Sequence, residues 1–143
     1  MTENKANINF FSEDIDFELE NEGIIKTKII EYIENTHHSC GNINYIFCSD
    51  DYLLDMNKRY LDHNYYTDIL SFQLNDEPIE GDIFISVDRV KDNAVKFGSE
   101  FEDELLRVIS HGILHFLGYK DDTEEGRAIM RQKEDEFIKF LKN

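Results

Sequence analysis

Between Phe101 and Leu117 the chain reads FEDELLRVISHGILHFL, and the second half of that stretch is apolar almost all the way round a helix. At about 100° per residue, Phe101, Leu105, Val108, Ile109, Gly112 and Phe116 form one stripe, while Ile113, Leu114 and Leu117 cover the other sides. A helix end of this kind has to be enclosed by other elements, so the fold must bury it. The same turns carry two imidazoles, His111 and His115, at one edge of the stripe. Two histidines therefore sit in or beside the core.

The rest of the chain supplies the enclosing elements. Ile8–Phe11 is a short apolar run read as a first strand. Ile24–Ile33 has apolar residues at helical spacing, with Gly41 as its stop. Asn42–Cys48 (NINYIFC) is rich in strand formers. Ser49-Asp50-Asp51 has the order of a helix start, a capping hydroxyl followed by acids, and that helix carries Leu53, Leu54, Met56 and Tyr60. Asp68–Leu74 and Asp82–Val87 read as two more strands, and the turn-rich NDEPIEG between them predicts an antiparallel hairpin. A short helix over Val87–Phe97 ends near Gly98. Ser99-Glu100-Phe101-Glu102 is a capping box with Ser99 as N-cap, so the central helix runs to about Leu117, where Gly118 ends it in a left-handed cap. Thr123 caps a last helix carrying Ile129, Met130, Phe137, Ile138 and Leu141. The pattern predicts an α/β (α+β) fold, a mixed sheet of about four strands with about five helices, in one domain over residues 1–143.

Composition narrows the function. The chain holds 31 Asp and Glu against 15 Lys and Arg, a formal net charge of −16. It repels nucleic-acid phosphates at long range, so contact with a nucleic acid has to come from a local patch or through a metal. The opening MTENKANINFFSEDIDFE has neither the basic nor the apolar region of a secretion signal, and no apolar run nears the roughly 18 residues of a membrane span. No membrane partner is expected. Cys40 and Cys48 lack metal-type spacing and read as core thiols of a reduced, cytoplasmic protein.

The two histidines admit a plain reading, as core residues satisfied by separate hydrogen bonds. Their spacing argues otherwise. Residues four apart on a helix have Cβ atoms about 5–6 Å from one another, so both rings can reach one ion at about 2.0–2.1 Å. A third ligand must follow the helix break at Gly118, and Asp121 and Asp122 are the candidates. The pattern H-x3-H-x2-G-x2-D favours Asp121. Three protein ligands with a fourth position open is the arrangement of a catalytic metal rather than a structural one. The site is then expected at the C-terminal end of the buried helix.

The stretch His111-Gly112-Ile113-Leu114-His115-Phe116-Leu117-Gly118-Tyr119-Lys120-Asp121 resembles the H-G-x-L-H-x-x-G-Y-D-H motif of the YbeY family of metal-dependent single-strand endoribonucleases and ribosomal RNA maturation factors. Thr67-Asp68-Ile69-Leu70-Ser71-Phe72 is similar to that family's T-D-V-L-S-F strand, Gly81-Asp82-Ile83 to its G-D-I strand, and Arg89-Val90 with Asn93-Ala94 to the helix that follows. The resemblance implies a zinc-dependent endoribonuclease acting on single-stranded and ribosomal RNA in small-subunit rRNA maturation and ribosome quality control. It implies one divalent metal, zinc, on His111, His115 and Asp121, and the small ribosomal subunit and assembly factors as partners. Metal-assisted phosphodiester hydrolysis is the implied chemistry. Two positions depart from the pattern. Asp121 stands where the family has its third His, which leaves the metal one positive charge poorer and a weaker Lewis acid. The family's arginine in a Y-R-x-x-D segment is absent, because Leu61 follows Tyr60. Arg59 and Lys120 are the cations expected to supply the missing charge.

Other readings of the spacing remain. A metzincin-like protease has Glu after its first His as general base, and here that residue is Gly112. A two-His, one-carboxylate iron oxygenase is a further alternative. The chain is also readable as a non-catalytic ribosome-assembly factor with a structural metal, a reading that Leu61 and the acidic charge favour. His37 and His38 read as cations at a helix end, and His63, beside Tyr65 and Tyr66, as part of a surface loop. Asp68 and Asp82 flank strands and read as structural partners.

Overall fold

Four apolar segments become strands, β1 (Asn7–Ser12), β2 (Cys40–Cys48), β3 (Ile69–Asp76) and β4 (Ile79–Ser86). Among the described residues, 6–143 of this computed structural model, they form one sheet in the order β1-β2-β4-β3. β1, β2 and β4 run parallel, and β3 pairs antiparallel with β4 at the edge. Residues 1–5, which open the stretch read as lacking a secretion signal, lie outside the described residues. Five helices accompany the sheet: α1 (Glu22–Asn35), α2 (Asp50–Leu61), α3 (Val87–Phe97), α4 (Phe101–Phe116) and α5 (Glu124–Lys142). This is the mixed α/β arrangement that the sequence pattern predicts, with β3 and β4 forming the antiparallel hairpin. No helix among the described residues is long and apolar enough to cross a membrane.

The period of two along each strand sorts side chains to two faces. Ile43, Tyr45 and Phe47 of β2 and Ile83 and Ile85 of β4 point into the main core, where α1, α4 and α5 cover them. The other face carries a polar ladder: Asn9 Nδ2 donates to Asn44 Oδ1 at 3.0 Å, and Asn44 Nδ2 to Asp82 Oδ1 at 3.0 Å. Asp82 is thus a strand partner. α2 covers part of this second face through a smaller cluster of Cys48, Leu53 and Leu70. Buried Tyr45 donates its hydroxyl to the Ile109 carbonyl at 2.9 Å, which ties the middle of the sheet to α4. Both cysteines are free and buried, and burial pushes each thiol up to about 12.

Helix starts follow local chemistry. Ser49, Ser86 and Thr123 each accept the backbone N–H three residues on, at 2.9–3.1 Å, caps worth about 1 kcal/mol each. Three expectations need correction. Glu100, not Ser99, is the N-cap of α4, and no side chain caps it. Ser99 instead closes the preceding helix, its N–H bonding to the Ala94 carbonyl at 2.9 Å beyond left-handed Gly98. Gly41 does not stop α1, which ends at Asn35 with left-handed His37 after it; Gly41 lies inside β2. The hairpin turn is shorter than NDEPIEG, since β3 reaches Asp76 and β4 resumes at Ile79 around a cis Glu77–Pro78 bond.

Candidate metal centre

α4 approaches the sheet closely because residue 112 is glycine. A Cβ there would lie 2.9 Å from Ile83 Cδ1 and 3.2 Å from Ile69 Cδ1. The helix therefore rests on β3 and β4 at the point where its two histidines emerge. After Phe116 it closes in a Schellman arrangement: Gly118 N–H bonds to the His115 carbonyl at 3.0 Å, and Tyr119 N–H to the Leu114 carbonyl at 3.0 Å. That closure needs a left-handed residue, and Gly118 supplies φ 102. The chain is thereby turned back over the helix end.

The turn delivers Asp121. His111 Nε2 and His115 Nε2 lie 3.0 Å apart. Asp121 Oδ2 is 3.3 Å from His111 Nε2, and Asp121 Oδ1 is 3.6 Å from His115 Nε2. A tetrahedral ion with ligands at about 2.05 Å sets their atoms about 3.3 Å apart, and the three separations bracket that value. Two imidazoles and a carboxylate also form a donor set suited to a divalent transition metal. His111, His115 and Asp121 are thus a group that could hold a metal ion. Asp122, the other candidate, is exposed and outside this group. The side chains of the three are 20%, 31% and 40% exposed, so one side of the tripod faces solvent.

Behind the tripod stands a carboxylate that the sequence reading missed. Glu134 of α5 is buried, 5% exposed. Its Oε2 lies 2.6 Å from His111 Nδ1, and its Oε1 accepts from Arg107 Nη1 at 2.9 Å. An ionised carboxylate can only accept, so His111 carries its hydrogen on Nδ1 and presents the Nε2 lone pair to the tripod. Burial pulls the His111 pKa down, but the Glu134 hydrogen bond and charge outweigh it and hold it above the ordinary value. Burial, and then the neighbouring His111, hold His115 below it. Met130, Glu134, Phe137 and Leu141 share one buried face of α5. A lone acid on an apolar stripe is the sequence signal that would have found Glu134.

The remaining predicted residues fall in different places. Lys120 is exposed and directly precedes Asp121. Arg59 lies on α2, which packs on the other face of the sheet from α4, and its Nε pairs with Asp55 at 3.0 Å. Leu61 is exposed at the end of α2. Asp68 is mostly buried just before β3; burial raises its pKa against the pull of His111, and its carboxylate accepts from Asn93 at 3.4 Å. Arg89 is held by Asp50 at 2.7 Å. His38 lies past the end of α1, 3.4 Å from Glu77, rather than on the helix. His63 stacks on Tyr65 in the loop after α2.

Comparison with known proteins agrees with this architecture. The family model described as Endoribonuclease YbeY matches residues 7–142. A Cytophaga hutchinsonii protein named Endoribonuclease YbeY is 48% identical over 135 residues, covering 93% of this chain and 94% of that protein. One of the same name from Christiangramia forsetii is 48% identical, covering 94% of each. A Thermotoga maritima protein of known solution structure superposes with a TM-score of 0.65 at 26% identity, over 94% of this chain and 89% of the other.

Proposed function

Because the chain belongs to the Endoribonuclease YbeY family, we propose that it is a zinc-dependent endoribonuclease acting on single-stranded RNA in the cytoplasm, in small-subunit rRNA maturation and ribosome quality control. The observation that carries this reading is the half-exposed tripod of His111, His115 and Asp121, with spacings of 3.0, 3.3 and 3.6 Å. A closed structural site has four protein ligands; this group offers three and faces solvent, the arrangement of a catalytic centre. A zinc ion held by these residues supplies a Lewis acid that polarises a phosphoryl oxygen or lowers the pKa of water.

The chain's own residues do the rest. Glu134 fixes the His111 tautomer and Arg107 fixes Glu134, so the Nε2 lone pair is aimed without reorganisation. The Schellman closure at Gly118 sets the reach of Asp121. Lys120, next to Asp121, is the cation nearest in sequence to the tripod, and we assign it, with Arg59 as the alternative, the charge that Leu61 does not provide. The ribosomal small subunit and its assembly factors fit as partners because the chain, at −16, gains little from long-range attraction to free RNA.

A second reading, a non-catalytic assembly factor with a structural metal, is favoured by exposed Leu61. The protease reading has less support: the place of its general base is Gly112, pressed against Ile83. The deciding experiment incubates zinc-loaded protein with single-stranded RNA, with chelator and His115→Ala controls. Cleavage lost in both controls supports the endoribonuclease. A folded, zinc-loaded protein that leaves the RNA intact would refute it and leave the assembly factor. In cells, unchanged rRNA ends with His115→Ala would refute the role in maturation.

A further inference from the structure

The loop from Asp62 to Asp68 has a composition no buried role explains. His63, Tyr65 and Tyr66 are exposed, the two tyrosines at 55% and 49%, yet the loop is held in place. Asn57, buried in α2, accepts the His63 N–H at 3.1 Å and donates its side-chain amide to the Tyr65 carbonyl at 2.9 Å. The His63 and Tyr65 rings stack at 5.0 Å and 20°, and the Tyr65 hydroxyl meets His63 Nδ1 at 2.9 Å. The Arg89 guanidinium lies 5.1 Å from the Tyr66 ring centroid. The loop leads directly into Asp68, which accepts from Asn93 at 3.4 Å, and Ile69, whose Cδ1 lies 3.2 Å from where a Cβ on Gly112 would stand. The loop therefore ends beside the turn of α4 that carries His111.

Of the cations near this loop, Arg89 is paired with Asp50 at 2.7 Å and Arg59 with Asp55 at 3.0 Å, which leaves Lys58 in the last turn of α2. Phosphate attraction is correspondingly weak here, whereas exposed rings on a fixed backbone suit stacking. We propose that His63, Tyr65 and Tyr66 form a ledge on which unpaired RNA bases stack as the strand enters the metal centre. The inference rests on the endoribonuclease reading for the identity of its ligand. It assigns recognition to the bases rather than to the phosphates.

The test measures anisotropy of labelled single-stranded RNA decamers with chelator-treated protein, so that binding is read without cleavage. Three probes share one backbone: oligo-adenylate, oligo-uridylate and an abasic strand. The ledge predicts adenylate tightest and abasic weakest. Tyr66→Ala and Tyr65→Ala should each weaken adenylate binding about 5- to 150-fold, with Tyr66→Phe close to wild type. With no more than one phosphate contact, raising salt from 50 to 200 mM should cost only about threefold in affinity. An abasic strand that binds as tightly as adenylate, or tyrosine-to-alanine variants with wild-type affinity, overturns the ledge. So does preferential binding of a protein partner, and not RNA, by this surface. RNA cleavage that requires His115 but is indifferent to Tyr65 and Tyr66 would sink the ledge alone and leave the enzyme reading standing.

Discussion

Replacing Glu134 by Gln tests the core of the proposed centre, because Gln keeps the shape and removes the charge. Two charge-assisted hydrogen bonds end on this carboxylate, from Arg107 at 2.9 Å and His111 at 2.6 Å. Gln can still accept one of them, so the loss is about one charged hydrogen bond, roughly 1.5–3 kcal/mol. Arg107 keeps a second partner in Asp135 at 2.8 Å, which holds the cost below the roughly 3–5 kcal/mol of stranding a buried charge. For a chain of this size that lowers Tm by about 5–10 °C. The larger effect falls on the metal. With a less basic imidazole and a less firmly held tautomer, zinc affinity should drop about 10- to 100-fold. Competition with a chromophoric chelator measures this on folded protein, and thermal melts report the stability separately. A Glu134→Gln protein that binds zinc as tightly as wild type would refute the argument that this carboxylate orients His111.

Further outcomes follow from the same geometry. Chelation should lower Tm and zinc restore it; at a hundredfold excess over Kd the linkage is about 2.7 kcal/mol, and a Tm indifferent to chelator would count against any bound ion. Asp121→Ala should lose zinc in metal analysis of untagged protein while Asp122→Ala keeps it, and full occupancy in Asp121→Ala would remove that residue from the site. Lys120→Ala, or failing it Arg59→Ala, should slow RNA cleavage, and unchanged rates in both would end the idea that either replaces the missing arginine. Asp68→Asn should stabilise the metal-free protein at pH 7. Burial raises the folded pKa of Asp68, so between the ordinary carboxylate value and the raised one the folded state binds more protons than the unfolded, and wild-type stability rises as pH falls. The advantage of Asn should therefore shrink on acidification, and an advantage that grows in chemical denaturation would contradict the sign.

Much of this was legible in the sequence because its determinants are local. The histidine pair is read from spacing on one helix, and the break from one glycine. Asp121 follows because a Schellman closure returns the chain within a few residues. Glu134 lies 23 residues beyond His111, and only the packing of α5 on α4 brings the two together. Spacing says nothing of that, although the acid's place on an apolar stripe does. The capping box failed because Ser99 had a competing use, closing α3 through its backbone. Gly41 failed as a helix stop because α1 had already unwound at Thr36, leaving Gly41 free to extend β2.

Every side chain of the centre, Arg107, His111, His115, Asp121 and Glu134, comes from the last two helices and the turn between them. The sheet is drawn from earlier in the chain, by β1–β2 and β2–β4 pairings 35 or more residues apart and by the local β3–β4 hairpin. Synthesis proceeds from the N-terminus at about 5–20 residues per second, so the strands emerge first and the ligands last. A nascent chain that stalls before α5 has its two histidines but not the carboxylate that aims one of them. The centre is therefore complete only when the last helix has been made and has packed on α4.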